Sequence, residues 1–275
     1  MELEEIAKEE EIVLLDTSIN QLDNFLWEIF PTKSYNKILI PKIVATQEKI
    51  EKVIKFIDEK NVFSIEEVHK EMGVLLVKLS AKAKEFNKIE RHCKKTFKRK
   101  EIKINPENRK SYVSLLDVTN HLISRLNHKL IKIKEPKVYE IFYNRILKFN
   151  EEYKLTENRN EYPEKERLIL KLDYLPEDNE EKLRTDEKLA AMLFYLSIIE
   201  NKSGVLISGD AGIKRLVEEY YKSICKNNSE ECKYFKEMLI KNPAKIYLPC
   251  PIKSCNYQLE FSSKIPYSLS EENSH

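Results

Sequence analysis

The run TDEKLAAMLFYLSIIENKSGVLISGDAGIKRL, residues 185–216, decides the fold class. Asp186 follows Thr185, and Leu189, Ala190, Ala191, Leu193 and Leu196 are apolar enough for a buried helix. Asn201 to Gly204 supply the break. Val205, Leu206 and Ile207 are aliphatic and few, which suits a short strand covered on both faces. Ser208, Gly209 and Asp210 end that strand, and Ala211 to Tyr221 reads as helix again. A strand closing on Gly-Asp ahead of a helix sets the carboxylate at the carboxyl end of a parallel sheet, where open α/β folds keep their sites.

The same pattern opens the chain. Glu11 to Asp16 (EIVLLD) is a short aliphatic strand ending on an acid, followed by capping side chains in Thr17, Ser18 and Asn20. Leu22, Phe25, Leu26, Ile29 and Phe30 then recur at helical spacing. Ile38 to Ile40 reads as a strand, and Pro41 to Glu59 as an amphipathic helix with Ile43, Val44, Ile50, Ile54 and Ile57 on its apolar side. Val62 and Phe63 suggest another strand. Ser64 reads as the cap of the next helix, with Glu67 three residues on in a capping box and Glu71 one turn further.

From Val74 to about Ile104 the pattern is helical and increasingly basic. Asn105-Pro106 opens a helix whose stripe runs from Tyr112 through Leu115, Thr119, Leu122 and Leu126 to Leu130. Pro136 interrupts, Val138 to Phe149 is a third helix, and Glu151 to Glu166 reads as loop. Leu168 to Leu172 is an expected strand, and Lys245 to Leu248 the last one before a polar tail. Strands alternating with helices predict a parallel sheet covered by helices.

With 275 residues, 41% of them hydrophobic, the chain can bury one large core or a domain carrying an insertion. A net charge of +2 against 34% charged residues leaves any case for a polyanionic partner to local asymmetry. Four glycines argue against Gly-rich phosphate loops. Met1 to Glu11 is acidic and lacks an apolar run, and no stretch approaches a membrane span, so a cytoplasmic location without membrane attachment is expected. Among five Cys residues, the pairs Cys225–Cys232 and Cys250–Cys255 lack the two-residue gaps of common zinc sites. Reduced thiols are expected, with structural zinc as the alternative.

Asp16, Glu71, Asp186 and Asp210 each sit at or just beyond an apolar segment, where strand ends and helix starts aim at one cleft. Carboxylates gathered so closely would take up protons unless a cation sits among them. A hard divalent ion with oxygen ligands resolves that conflict, and one or two such ions activate water for attack on a phosphodiester. Lys82 to Lys103 carries ten Lys or Arg against three Glu, a net of +7, with Lys94, Lys95, Lys98, Arg99 and Lys100 at its centre. That block reads either as an exposed helix face or as a surface tracking nucleic-acid phosphates.

At these residues the chain resembles the PIN-domain nucleases. Leu15-Asp16-Thr17-Ser18 is similar to the family's opening motif, and Phe63 to Met72 to its strand-to-helix step carrying Glu. Thr185-Asp186 with Leu189-Ala190-Ala191 is similar to the third acid and its small-residue helix, and Ser208-Gly209-Asp210 to the closing motif. The resemblance implies a parallel sheet of order 3-2-1-4-5 flanked by helices. It also implies Mg²⁺ or Mn²⁺ held by Asp16, Glu71, Asp186 and Asp210, with Ser18 and Ser208 orienting the cluster, and endonucleolytic cleavage of RNA, single-stranded RNA included.

Glu71 and Asp186 are 115 positions apart (186 − 71), so the expected division is a nuclease core of residues 1–73 and 166–275 with a helical, partly basic insertion at 74–165. Glu48, after Ile40-Pro41, is the rival for the second acid. An inactive RNA-binding scaffold and a small-phosphate phosphohydrolase are the alternative functions. A homodimer and an antitoxin-like protein partner stay open.

Overall fold

The computed structural model describes residues 8–20, 39–77, 79–80, 106–156, 183–247, 249–250 and 260–261. Strands β1 (Ile12–Leu15), β2 (Val62–Phe63), β3 (Gly204–Ile207) and β4 (Ala244–Tyr247) form an all-parallel sheet in the order β2-β1-β3-β4. Every residue of β1 and β3 is buried, as near-continuous aliphatic strands covered on both faces must be. Successive side chains point to opposite faces. Val13, Leu15, Val205 and Ile207 therefore share one cluster with residues of α1 (Leu39–Ile57) and α3 (Pro106–Asn127). Ile12, Leu14, Leu206 and Ile246 share the other, with α4 (Pro136–Tyr153), α5 (Thr185–Ile198), α6 (Ala211–Lys226) and α7 (Glu230–Lys241). The result is a sheet between two helical layers.

Leu115, Leu122 and Leu126 of α3 join the first cluster, and Phe142 and Ile146 of α4 the second. Helices drawn from residues 74–165 thus cover both faces of the sheet. α5 is buried continuously from Leu189 to Ile198. It packs against α4, β3 and α6 at once, which a helix apolar on all sides requires.

Several local expectations change. Leu39 and Ile40 begin α1 instead of forming a strand, and Pro41 lies in its first turn, where a missing N–H costs nothing. Ser64 does not cap the helix over residues 66–77, here α2. Its N–H donates to the Lys129 carbonyl (2.8 Å) and its carbonyl accepts from Ile131 N–H (2.9 Å), making a parallel bridge to Leu130. Leu130 consequently leaves the α3 stripe, and Glu67 pairs with Lys188 instead of reaching back to the cap.

Because Val13 N–H donates to the Asn61 carbonyl (2.8 Å), odd residues of this strand face β1 and Ser64 faces the opposite edge. Pro136 opens α4, and the helix runs to Tyr153, past Phe149, closing on Lys154 in the left-handed region (φ 50°). α7, capped by Ser229 accepting from Cys232 N–H (3.2 Å), fills a stretch to which the sequence reading assigns no element, and an antiparallel pair of β5 (Pro249–Cys250) with β6 (Glu260–Phe261) lies in the expected polar tail.

The expected helix at Leu22–Phe30, the strand at Leu168–Leu172 and the basic block of Lys94, Lys95, Lys98, Arg99 and Lys100 lie outside the described residues. No helix among the described residues is long and apolar enough to cross a membrane.

Candidate functional site

Leu15 and Ile207 are register partners, so β1 and β3 end level with each other. Asp16 N–H donates to the Ile207 carbonyl (3.0 Å) and Ser208 N–H to the Tyr247 carbonyl (3.1 Å), which carries the ladder one residue past the strands. Asp16 and Ser208 thus emerge side by side at the carboxyl end of the sheet. Asp16 is 5% exposed, and a buried carboxylate needs partners.

Its Oδ1 accepts from Thr17 N–H (2.7 Å), and its Oδ2 from the hydroxyls of Ser208 (2.7 Å) and Ser18. Those hydroxyls accept in turn. Ser208 Oγ takes Asp210 N–H (2.9 Å), and Ser18 Oγ takes Gly209 N–H (2.7 Å). A Cβ at Gly209 would stand 3.3 Å from the Ser18 carbonyl oxygen, so this close approach suits a residue without a side chain.

Glu71, on α2, reaches the same place from the other side. Its Oε2 accepts from the Thr17 hydroxyl and its Oε1 from the Thr185 hydroxyl (2.5 Å). Thr17 Oγ1 also lies 3.2 Å from Asp16 Oδ1. Its single proton serves one carboxylate at a time, so Thr17 is a shared donor between two acids. Glu48 stands on the exposed face of α1.

Asp210 is the N-cap of α6, its Oδ1 accepting from Gly212 N–H (2.7 Å). Asp186 lies in the first turn of α5. Burial, then the like charges of Asp16, Asp210, Glu187 and Glu71, push its carboxyl well above the ordinary carboxylate range. The other three acids read from the sequence, Asp16, Glu71 and Asp210, therefore all act on Asp186, together with a further one, Glu187. Glu187 is 4% exposed, with Oε1 accepting from Asn150 Nδ2 (2.9 Å) and from Arg184 (3.2 Å). Asn150 also takes the N–H groups of Leu155 (3.1 Å) and Thr156 (3.0 Å) on Oδ1, fixing the chain after α4 beside this acid.

The donor set is all oxygen, which matches Mg²⁺ or Mn²⁺ better than softer metals. An acid disfavoured by burial and by neighbouring charge is also what a cation would relieve. Among the described residues, however, no three His, Cys, Asp or Glu side chains gather tightly enough to hold one ion as they stand. Glu71 is held by two hydroxyls, Asp16 by two hydroxyls and an amide, and Asp210 by the first turn of its own helix.

Sequence reasoning passed over Glu187 and Asn150, and named Thr17 as a capping and motif residue and Thr185 as a motif residue without giving either a role at the site. Thr17 carried a signal, sitting between an acid-ended strand and a turn. Glu187 and Asn150 carried none, because a polar residue at a helix end looks the same whether solvated or buried. Cys225 and Cys232 are free thiols, while Cys93 and Cys255 lie outside the described residues. No family model, curated protein or solved structure matches this chain.

Proposed function

We propose that the chain is a Mg²⁺- or Mn²⁺-dependent nuclease with a PIN-like core that hydrolyses phosphodiester bonds of RNA. The observation that carries this reading is the linkage of the acids at the carboxyl end of a parallel sheet: the Thr17 hydroxyl lies between Asp16 and Glu71, Thr185 beside Asp186 binds Glu71, and Ser208 joins Asp16 to Asp210. Charge of one sign concentrated there has a use when a divalent ion and a phosphate must be brought together. The strand arrangement adds support. Counting the Ser64–Leu130 bridge as a rudimentary strand outside β2, the order becomes 3-2-1-4-5.

In this reading Asp16, Glu71, Asp186 and Asp210 would hold the metal once drawn together around it, and the chemistry it would supply is activation of water and neutralisation of charge on the phosphorus. Ser18 and Ser208 fix the Asp16 carboxylate against the sheet end, and Asp210 is aimed by its bond to Gly212 N–H. Lys94, Lys95, Lys98, Arg99 and Lys100 would track the RNA backbone, with affinity falling as salt rises.

A scaffold that binds RNA without turnover is the second reading, favoured by the hydroxyls and amide that already satisfy Asp16. Labelled single-stranded RNA and DNA, incubated with Mn²⁺ or with chelator, separate the two. Metal-dependent cutting of RNA that disappears in Asp16→Asn and Asp210→Asn supports the nuclease. Salt-sensitive binding without cutting favours the scaffold, and hydrolysis of a phosphate monoester alone points to a small-phosphate hydrolase.

A further inference from the structure

α5 brings more to the site than Asp186. Its Thr185 hydroxyl donates to Glu71 Oε1 (2.5 Å), and its Lys188 ammonium to Glu67 Oε1 (2.7 Å). The donors are three residues apart on α5 and the acceptors four apart on α2, so each pair occupies one face of its helix. Two polar rungs therefore join helices whose contacting residues are 114 and 121 positions apart in the chain. Glu67 and Glu71 would repel one another across a single turn of α2. The ammonium relieves the first, and the hydroxyls of Thr185 and Thr17 bind the second on both oxygens. The Thr185 side chain is buried, so water does not replace its hydroxyl when it is removed.

We propose that Thr185 is a positioning residue: it holds the Glu71 carboxylate toward Asp16 and Asp186, and the Lys188–Glu67 rung keeps α2 close enough for its hydroxyl to reach. This rests on the metal-site reading above. Hydrogen-bond partners of metal-binding carboxylates typically change metal affinity by about 10- to 100-fold when lost.

The test is calorimetric titration of the full chain with Mn²⁺ alone, for wild type, Thr185→Val, Thr185→Ser and Glu71→Gln, with thermal midpoints measured without metal. Valine keeps the shape of threonine and drops the donor; serine keeps the donor. Thr185→Val is expected to weaken Mn²⁺ binding about 10-fold, and Thr185→Ser to bind nearly as wild type. Lys188→Met should weaken it by a smaller factor, since it acts through α2.

Wild-type affinity in Thr185→Val beside a weakened Glu71→Gln overturns the positioning role and leaves the metal site standing. Equal losses in the Val and Ser variants also overturn it, because the hydroxyl would then not be the operative group. Absence of Mn²⁺ binding by folded wild type removes the metal reading and the positioning role together. In that case a non-additive midpoint shift in the Thr185→Val, Glu71→Gln double variant would identify the contact as a structural strut.

Discussion

Asp16 and Asp186 are both acids at the carboxyl end of the same sheet, and their surroundings are opposite. Asp16 follows β1 and is met by the Thr17 amide and by the hydroxyls of Ser18 and Ser208. Asp186, half-buried in the first turn of α5, is met by partial loss of water and by four other carboxylates. One acid is satisfied by the fold, and the other is tolerated by it. The contrast separates a group whose loss unravels local structure from a group whose charge costs stability and so points to use. Substitutions at the two ends should therefore act with opposite sign.

The largest effect is expected at the satisfied end. Asp16→Ala leaves the buried Ser208 hydroxyl, the half-buried Ser18 hydroxyl and the Thr17 amide without their acceptor and should cost about 3 kcal/mol, read from the denaturant midpoint at constant slope. Asp186→Asn should do the reverse, raising metal-free stability at neutral pH through loss of a crowded charge.

The pH dependence follows in sign. The Asp186 pKa is raised in the folded chain above its ordinary 3.8, so between the two values the folded state binds the extra proton. The stability lent by that proton is present below the unfolded value and is lost as pH rises through the folded one. The advantage of Asp186→Asn over wild type should accordingly grow with pH across that window and then level off. Equal pH profiles for the two proteins would break the comparison.

A smaller effect is expected at Gly209. Alanine there presses on the Ser18 carbonyl and should cost about 1 kcal/mol, with circular dichroism following the loss.

How far all this was legible in the sequence differs by residue. The aliphatic runs ending on acids marked β1 and β3 directly, because a covered parallel strand leaves little room for any other residue type. Ser64 was misread because a helix cap and a strand residue share extended backbone angles, and only the Lys129–Ile131 segment decides between them. α7 was missed because Phe235, Met238 and Leu239 alone are buried in its twelve residues, too thin a stripe to stand out. The positions of Asp16, Asp186 and Asp210 followed from strand ends and helix starts. Their partners did not, since Thr185 meets Glu71 across 114 positions and no local pattern encodes that meeting.

The central claim is that the crowding at Asp186 is relieved by a divalent cation. The most direct measurement is the thermal midpoint of wild type and of Asp186→Asn as Mn²⁺ is raised at neutral pH. Wild type should climb steadily, by the equivalent of about 2.7 kcal/mol at one hundred times the dissociation constant, while the variant starts higher and gains much less. Parallel curves, or a wild type indifferent to Mn²⁺, would contradict the account.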